Sequence, residues 1–305
     1  MNYRDPQEFF KKESNSAART AIFLSGSGTN AEKILDLWKD KGEHCSFLPV
    51  CIVTDHPETS RAEEISRNYD LPLVDAGIKS FYKSKGLGTV SLASEKGRQV
   101  RGEWTADLAT RLADFQLDFG IFAGFTSLTN ITDYLPCLNV HPGDLTVCDD
   151  RGIRILTGLH TLPILKAVVA GEDSLRSSVI IASAYQGEGA GMDEGLVAGI
   201  SVSVEIDWLS RSREEWLQLY KSRPPVKPKD GWGDEFQHLL NINLSRLKEV
   251  GDWVVFPKVV DDFAQGKFAY SGSSLFYKSG TAWLPIEIIE YSRDGKEMFF
   301  KESSK

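Results

Sequence analysis

Residues 21–30 read Ala21-Ile22-Phe23-Leu24-Ser25-Gly26-Ser27-Gly28-Thr29-Asn30, and this stretch decides the fold. Its four leading apolar residues predict a buried strand, and the glycines that follow predict a tight turn. Beyond the turn, apolar residues from Ile34 to Trp38 recur at helical spacing, with Thr29 or Asn30 as the expected N-cap. A strand, a glycine loop and a helix in this order form an anion site, because backbone amides and the helix dipole converge there.

The same alternation continues through the first two thirds of the chain. Apolar runs predict strands at residues 47–54, 71–74, 119–125, 137–140, 178–182 and 200–204. Helices are predicted at residues 31–38, 61–69, 95–115, 126–134 and 158–170, with loops at 78–90 and 145–157. Continuously apolar strands that alternate with helices indicate an α/β fold with a mostly parallel, doubly wound sheet of Rossmann-like type.

The character of the sequence changes near Glu205. Helices are predicted at 214–220 and 235–250, joined by the proline-rich residues 224–228, and residues 253–291 alternate like strands around a Ser279-Gly280 hairpin. Residues 7–12 predict a short helix, followed by a polar linker. We therefore divide the chain into an N-terminal extension (1–19), an α/β catalytic domain (20–205) and an appended C-terminal α+β segment (206–305), with Trp253 and Trp283 in the core of the last.

Composition excludes several classes of function. A net charge of −8 and an isoelectric point near 5.3 argue against sequence-independent binding of nucleic acid, which requires a basic surface. The four cysteines have no metal-ligand spacing, and three lie in apolar runs, so buried free thiols are expected and no metal site. The sequence contains neither a signal peptide nor a run long enough to cross a bilayer, which predicts a cytoplasmic protein without a membrane partner.

Asn139 and His141 are the first candidates for catalysis. They lie two apart at the end of the predicted strand 137–140, so both side chains point to the same face, and Pro142-Gly143 stops the strand. An amide donor beside a titratable base suits carbonyl chemistry, since one stabilises an oxyanion while the other moves a proton. Ligands bind beyond the carboxyl ends of parallel strands, where this pair falls. The alternative is a strand-end turn with a capping Asn and an exposed His.

The glycine loop supports a second interpretation. Gly26-x-Gly28-x-x-Ala31 fits the dinucleotide fingerprint, and Asp55 ends the next predicted strand, as in an NAD(P)-binding oxidoreductase. That interpretation does not explain why Asn139, His141 and a loop residue, Asp193, should gather at neighbouring strand ends. The loop could also be a simple tight turn without a ligand.

Five short segments together resemble the folate-dependent formyltransferase family, most closely its branch that acts on glycinamide ribonucleotide. They are residues 25–30, 123–125, 138–142, 158–161 and 192–195, and they follow the family's order within residues 20–205. The resemblance implies a Rossmann-like catalytic domain that transfers formyl from 10-formyltetrahydrofolate to an amine without a metal, in one-carbon metabolism and purine biosynthesis. It implies a small acceptor that could carry a phosphate, a reduced folate as the other ligand, and a chain that could form a homodimer.

The resemblance also assigns residues by position. Asn139, His141 and Asp193 match the catalytic Asn, His and Asp, and His160 could support them. The substrate-phosphate loop is matched by Gly26, Ser27, Gly28, Thr29 and Asn30. The folate pocket is matched by Gly124, Phe125, Thr126, Ser127, Leu128 and Gly191.

The chain departs from the family's pattern in three places. Gly143-Asp144-Leu145 and an insertion stand where a small residue and two leucines are usual, a second family histidine falls near Ile180, and a family arginine falls at Ser127. These departures leave the acceptor open, and two further alternatives are hydrolysis of formyltetrahydrofolate and a catalytically silent folate- or nucleotide-binding relative. The bland interpretations are that His160 starts a helix and that Asp193 and Asp144 are solvated loop acids.

Overall fold

A computed structural model describes residues 5–11, 16–185, 192–228 and 231–300, which form one large mixed sheet with helices on both faces and a separate sheet of two short strands. The strands are β1 (Gln7–Glu8), β2 (Ala18–Phe23), β3 (Phe47–Thr54), β4 (Leu73–Asp75), β5 (Phe119–Phe122), β6 (Cys137–His141), β7 (Ser174–Leu175), β8 (Ser178–Ile181), β9 (Leu196–Ser201), β10 (Val204–Glu205), β11 (Phe268–Ser271), β12 (Ser274–Ser279), β13 (Ala282–Tyr291) and β14 (Lys296–Phe300). The α-helices are α1 (Thr29–Lys41), α2 (Ala62–Tyr69), α3 (Ile78–Ser84), α4 (Glu95–Leu112), α5 (Leu162–Ala170), α6 (Arg213–Lys221), α7 (Glu235–Leu247) and α8 (Trp253–Ala264).

The centre of the sheet confirms the predicted fold class. Strands β4, β3, β2, β5 and β6 lie side by side in that order, and all are parallel. Strand β8 pairs antiparallel with β6, and β9 pairs antiparallel with β8. Strand β13 then pairs parallel with β9, so the C-terminal strands extend the same sheet. The carboxyl ends of β2, β5 and β6 therefore meet at one edge, where the crevice of such a sheet lies.

Two apolar layers enclose the sheet. One contains residues of α1, α2 and α8, such as Leu35, Ile65 and Phe263, and the other contains residues of α3 and α4, such as Tyr82 and Trp104. Both layers contact the central strands, which explains why those strands have apolar residues on both faces and little alternation.

The C-terminal segment corrects the predicted elements. Residues 253–264 form helix α8 and not strands, and only residues from Phe268 onward are extended. Helix α8 buries eight of its residues against the sheet beside α1, so its pattern is a continuous apolar run that periodicity cannot distinguish from a buried strand. The Ser279-Gly280 hairpin is confirmed, since Ser279 pairs with Ala282. Both Trp253 and Trp283 are half-buried.

Four other predicted segments differ. The helix predicted at residues 7–12 is not formed by the described residues 7–11, because Gln7–Glu8 pairs with β11 as a short strand. The loop predicted at 78–90 begins with helix α3, whereas the helix predicted at 126–134 is a loop with one 3₁₀ turn at Ile131–Asp133. The loop predicted at 145–157 is partly buried, since Leu145 and Leu156 are both buried.

The bulk properties agree with these layers. Cys45, Cys51 and Cys137 are buried free thiols, and Cys148 is an exposed one. Within the described ranges, no helix combines the length and the hydrophobicity that a membrane crossing requires.

Candidate active site

A cavity of about 550 Å³ opens at the carboxyl edge of the parallel strands. The loops after β2, β5 and β6 form most of its wall, and α7 and the turn that follows it close the remaining side. Its lining residues are Ser25, Gly26, Ser27, Gly28, Thr29, Asn30, Ala123, Gly124, Phe125, Thr126, Leu128, Asn139, Val140, His141, Pro142, Gly158, Leu159, His160, Asp193, Leu244, Lys248 and Asp252.

The glycine loop leaves its donors free. Gly28 is the N-cap of α1, in place of the predicted Thr29 or Asn30, and makes no side-chain cap. Its φ of 69° favours glycine, and a Cβ there would lie 2.3 Å from Ile65 Cδ1. The amides of Gly26, Ser27 and Gly28 donate to no acceptor among the described residues. Free amides at an uncapped helix N-terminus form a site for an anion.

The loop after β5 forms the apolar wall. The amide of Ser25 donates to the carbonyl of Gly124 (3.1 Å), and the amide of Thr126 donates to Ser25 Oγ (2.8 Å), which ties this wall to the glycine loop. The ring of Phe125 stacks against Trp104 behind it. Ser127 of the predicted folate residues does not line the cavity, and Gly191 lies outside the described residues.

His141 and Asp193 form a pair inside the cavity. His141 is only 3% exposed, so the alternative of an exposed strand-end histidine is wrong. Its Nε2 lies 2.7 Å from the carbonyl oxygen of Leu156, to which it can only donate. The other ring nitrogen, Nδ1, faces Asp193 Oδ2, 3.5 Å away. The imidazole and the carboxylate thus face each other, an arrangement suited to proton transfer at Nδ1.

Asn139 shares the strand face of His141 and lines the same cavity, half-buried. Its amide is a donor next to the His141–Asp193 pair, as oxyanion stabilisation requires. His160 lies exposed at the rim with φ of 56°, just before α5 begins at Leu162. Asp144 does not line the cavity, and its carboxylate accepts the Thr146 amide in a local turn (2.9 Å).

Three residues that the sequence analysis missed come from the C-terminal segment. Leu244, Lys248 and Asp252 are spaced four apart along α7 and the π-helical turn Lys248–Asp252, and all line the cavity. Asp252 is 2% exposed and accepts hydrogen bonds from Ser177 Oγ (2.5 Å) and Asn30 Nδ2 (3.1 Å). The C-terminal segment is thus directly bonded to the glycine loop.

The C-terminal segment places one acidic and one basic side chain, Asp252 and Lys248, on the cavity. Burial raises the pKa of Asp252, and the hydrogen bonds from Ser177 and Asn30 only partly oppose it. The Lys248 ammonium makes no hydrogen bond or ion pair within the described ranges, so it is available to a ligand. An anion at the glycine loop would meet this cation across the cavity.

Solved structures show what this arrangement is similar to. A glycinamide ribonucleotide transformylase from Symbiobacterium toebii matches with a TM-score of 0.56 and 18% identity, over 88% of this chain and 96% of that chain. A phosphoribosylglycinamide formyltransferase from Coxiella burnetii matches with a TM-score of 0.56 and 16% identity, over 88% and 96%. The chain has the formyltransferase fold. A formyltetrahydrofolate deformylase from Pseudomonas syringae is also similar, with a TM-score of 0.52 and 10% identity over 87% of this chain and 67% of that chain.

At these identities the similarity is one of fold. No model of a known protein family matches the sequence, and no curated protein matches it. The match to the formyltransferase fold confirms the predicted Rossmann-like architecture, and its share of the chain exceeds residues 20–205. The C-terminal segment therefore contributes to the aligned structure, in agreement with the position of α8 on the sheet.

The dinucleotide alternative lacks its acidic residue. It requires a carboxylate at the end of the second strand that is free to bind ribose hydroxyls. Asp55 occupies that position but is 0% exposed, and it is not among the residues that line the cavity. Among the described residues, moreover, no group of three or more potential ligands could hold a metal ion.

Proposed function

We propose that this protein transfers the formyl group of 10-formyltetrahydrofolate to the amine of a small acceptor. The observation that carries the proposal is the convergence of Asn139 and the His141–Asp193 pair on one cavity, which also holds a glycine loop with free amides. An amide donor, a proton carrier and an anion site are the groups that this reaction needs.

The chemistry follows from the geometry. The neutral amine attacks the formyl carbon, a C–N bond forms, and the carbonyl oxygen becomes an oxyanion that accepts from the Asn139 amide. The new ammonium gives up one proton, which His141 can accept at Nδ1 beside Asp193. The C–N bond to the folate then breaks and the leaving nitrogen takes the proton, so tetrahydrofolate is released and the charges balance.

The acceptor end of the cavity supports a phosphorylated amine, like glycinamide ribonucleotide. The free amides of Gly26, Ser27 and Gly28 provide an anion site, and the Lys248 ammonium adds a cation that forms no hydrogen bond or ion pair in the described ranges. Asp252 provides a carboxyl group near the same end, suited to a hydroxyl or an amine of the acceptor. Such a reaction would belong to one-carbon metabolism and purine biosynthesis.

The test is to incubate the protein with 10-formyltetrahydrofolate, with and without a panel of amines that includes glycinamide ribonucleotide, and to follow tetrahydrofolate release. Release that requires an amine supports the transferase. Release at the same rate without any amine would identify a hydrolase, in which water is the nucleophile. No release with any acceptor, together with tight NAD(P) binding, would overturn the proposal.

Asn139→Ala and Asn241→Ala are a matched pair for this assay. Asn139 lines the cavity, whereas Asn241 is an exposed asparagine on α7 that does not. We expect the first variant to lose turnover and the second to keep it. Equal activity of both would show that the reaction occurs at another site.

A further inference from the structure

The segment between β6 and α5 contains a small hairpin, residues 147–155, which we call the insertion hairpin. Its two arms are joined by hydrogen bonds from the Ile155 amide to the Val147 carbonyl (3.2 Å) and from the Asp149 amide to the Ile153 carbonyl (2.9 Å), and Gly152 closes the tip. It lies in the stretch where the sequence departs from the formyltransferase pattern. Its tip is exposed, but Leu156, which follows its second arm at the base, contacts the candidate site.

The base of the hairpin contacts the catalytic imidazole. The carbonyl of Leu156, one residue beyond the hairpin, accepts from His141 Nε2 at 2.7 Å. Gly143 makes room for this contact, because a Cβ at position 143 would lie 2.5 Å from the Leu156 oxygen and 2.9 Å from His141 Nε2. A side chain at 143 would thus force the carbonyl away from the ring.

The second arm of the hairpin contacts the carboxylate partner. Arg154 donates from Nη1 to the backbone carbonyl of Asp193 and from Nη2 to the carbonyl of Gly195 (2.9 Å). The two carbonyls flank Glu194, so the rigid guanidinium fork fixes the chain on both sides of the turn that carries Asp193. Arg154 is half-buried, and these two bonds offset part of the cost of burying its charge.

We infer that the insertion hairpin positions the His141–Asp193 pair, with Arg154 as a positioning residue on the side of Asp193 and Gly143 as the residue that admits the Leu156 carbonyl. The inference rests on the proposed function, because the pair is what the hairpin serves. Arg154 touches no reacting atom and acts through the backbone of Asp193. A misplacement of about 1 Å in such a site can reduce the rate roughly 100-fold. By holding His141 and Asp193 in place, the hairpin would therefore contribute to the rate.

The kinetic test compares Arg154→Ala, Arg154→Lys and Arg151→Ala in the formyl-transfer assay. Arg151 is the matched control, because it lies on the same hairpin, is largely exposed and, among the described residues, bonds only Asp149. We expect Arg154→Ala to lower kcat about 10- to 100-fold with KM for the formyl donor changed less than about 2-fold. Arg154→Lys should recover part of this loss, since lysine keeps one donor but not the fork. Arg151→Ala should behave as the natural protein.

A second measurement needs no substrate. Nitrogen-15 chemical shifts of the His141 ring in the free protein report which nitrogen carries the proton and what it bonds. Arg154→Ala should change the Nδ1 signal, which reports Asp193, and leave Nε2 bonded to Leu156. Gly143→Ala should change the Nε2 signal first. Asp193→Asn provides the reference for a lost carboxylate.

The outcomes separate this inference from the proposed function. If no formyl donor is turned over but the ring signals change as expected, the positioning role stands and the proposed reaction is wrong. If turnover occurs and Arg154→Ala changes neither kcat nor the Nδ1 signal, the positioning role is wrong. A lower melting temperature of Arg154→Ala with unaltered kcat and ring signals would also overturn it, since the role would then be structural alone.

Discussion

Replacing Asp193 by asparagine is the most direct perturbation of the candidate site. The two side chains have the same shape, so the change removes a charge and leaves the packing. In the natural protein, Asp193 Oδ2 lies 3.5 Å from His141 Nδ1, and Nε2 of the same ring is held by Leu156. The variant therefore removes the carboxylate that faces the nitrogen proposed to carry the transferred proton.

The distance sets the size of the effect. Two unit charges 3.5 Å apart attract each other by about 5 kcal/mol at an effective dielectric constant of about 20. The Asp193 side chain is 23% exposed, so solvent screens part of this attraction, and we reduce it by about half, to roughly 2–3 kcal/mol. This attraction exists only while the ring is charged. Since each 1.36 kcal/mol is tenfold in rate, kcat should fall about 30- to 150-fold.

The measurement is tetrahydrofolate release under saturating donor and acceptor, with Glu194→Gln as the control. Glu194 is the adjacent, exposed acid, and its replacement changes the net charge equally without touching the ring. Circular dichroism would verify that both variants fold. A kcat for Asp193→Asn within threefold of the natural protein, with the fold intact, would refute the proton-carrier role of the pair.

Three further predictions follow from the same structure. Asn139→Ala should lower kcat about 100-fold or more without changing the melting temperature, because an oxyanion donor is lost and the side chain is only half-buried; stopped-assay kinetics and calorimetry check both. Asp262→Asn should cost about 3 kcal/mol of unfolding free energy at pH 7, since the buried carboxylate bonds Lys267, Lys296 and two tyrosines. Burial raises the pKa of Asp262, but the two lysines outweigh it and hold that pKa below its usual value, so the advantage of the natural protein should vanish in urea titrations as the pH falls through that lowered pKa. A thiol reagent should label Cys148 alone in the folded protein, because the other three cysteines are buried and burial raises the pKa of Cys51 to about 12; four labelled thiols before unfolding would contradict this.

The parallel sheet could be predicted because its signal is local. Strands β2, β3, β5 and β6 are apolar runs that end at glycine, proline or aspartate, so composition and turn residues mark them without tertiary information. The loop at 126–134 has no such signal. Its backbone is fixed by distant partners, since Ser25 accepts from the Thr126 amide and Arg101 donates to the Leu128 carbonyl. A window of sequence cannot contain those contacts.

The candidate site divides in the same way. Asn139 and His141 could be found because strand alternation places them on one face, and the structure brings Asp193 to them. The contact between His141 and the Leu156 carbonyl could not be found, because a backbone oxygen has no side-chain identity. Arg154 was similarly hidden, since the groups to which it donates are also backbone carbonyls.

The cavity residues of the C-terminal segment were missed for a different reason. Here an error in the predicted secondary structure led to an error in the predicted site. Residues 253–264 are rich in valine and phenylalanine, which are typical of strands, and contain Pro257, which is unfavourable in a helix interior. The helix predicted before them ends at residue 250, so Leu244 and Lys248 share a helical face but Asp252 falls outside the predicted helix. Once α7, the π-helical turn and α8 are one continuous helical run, a spacing of four puts all three on the cavity, with Asp252 bonded to Asn30. The cavity residues that we propose to face the acceptor are therefore contributed by the part of the chain whose local pattern is most ambiguous, and the formyl-transfer assay on a Lys248 variant tests that part directly.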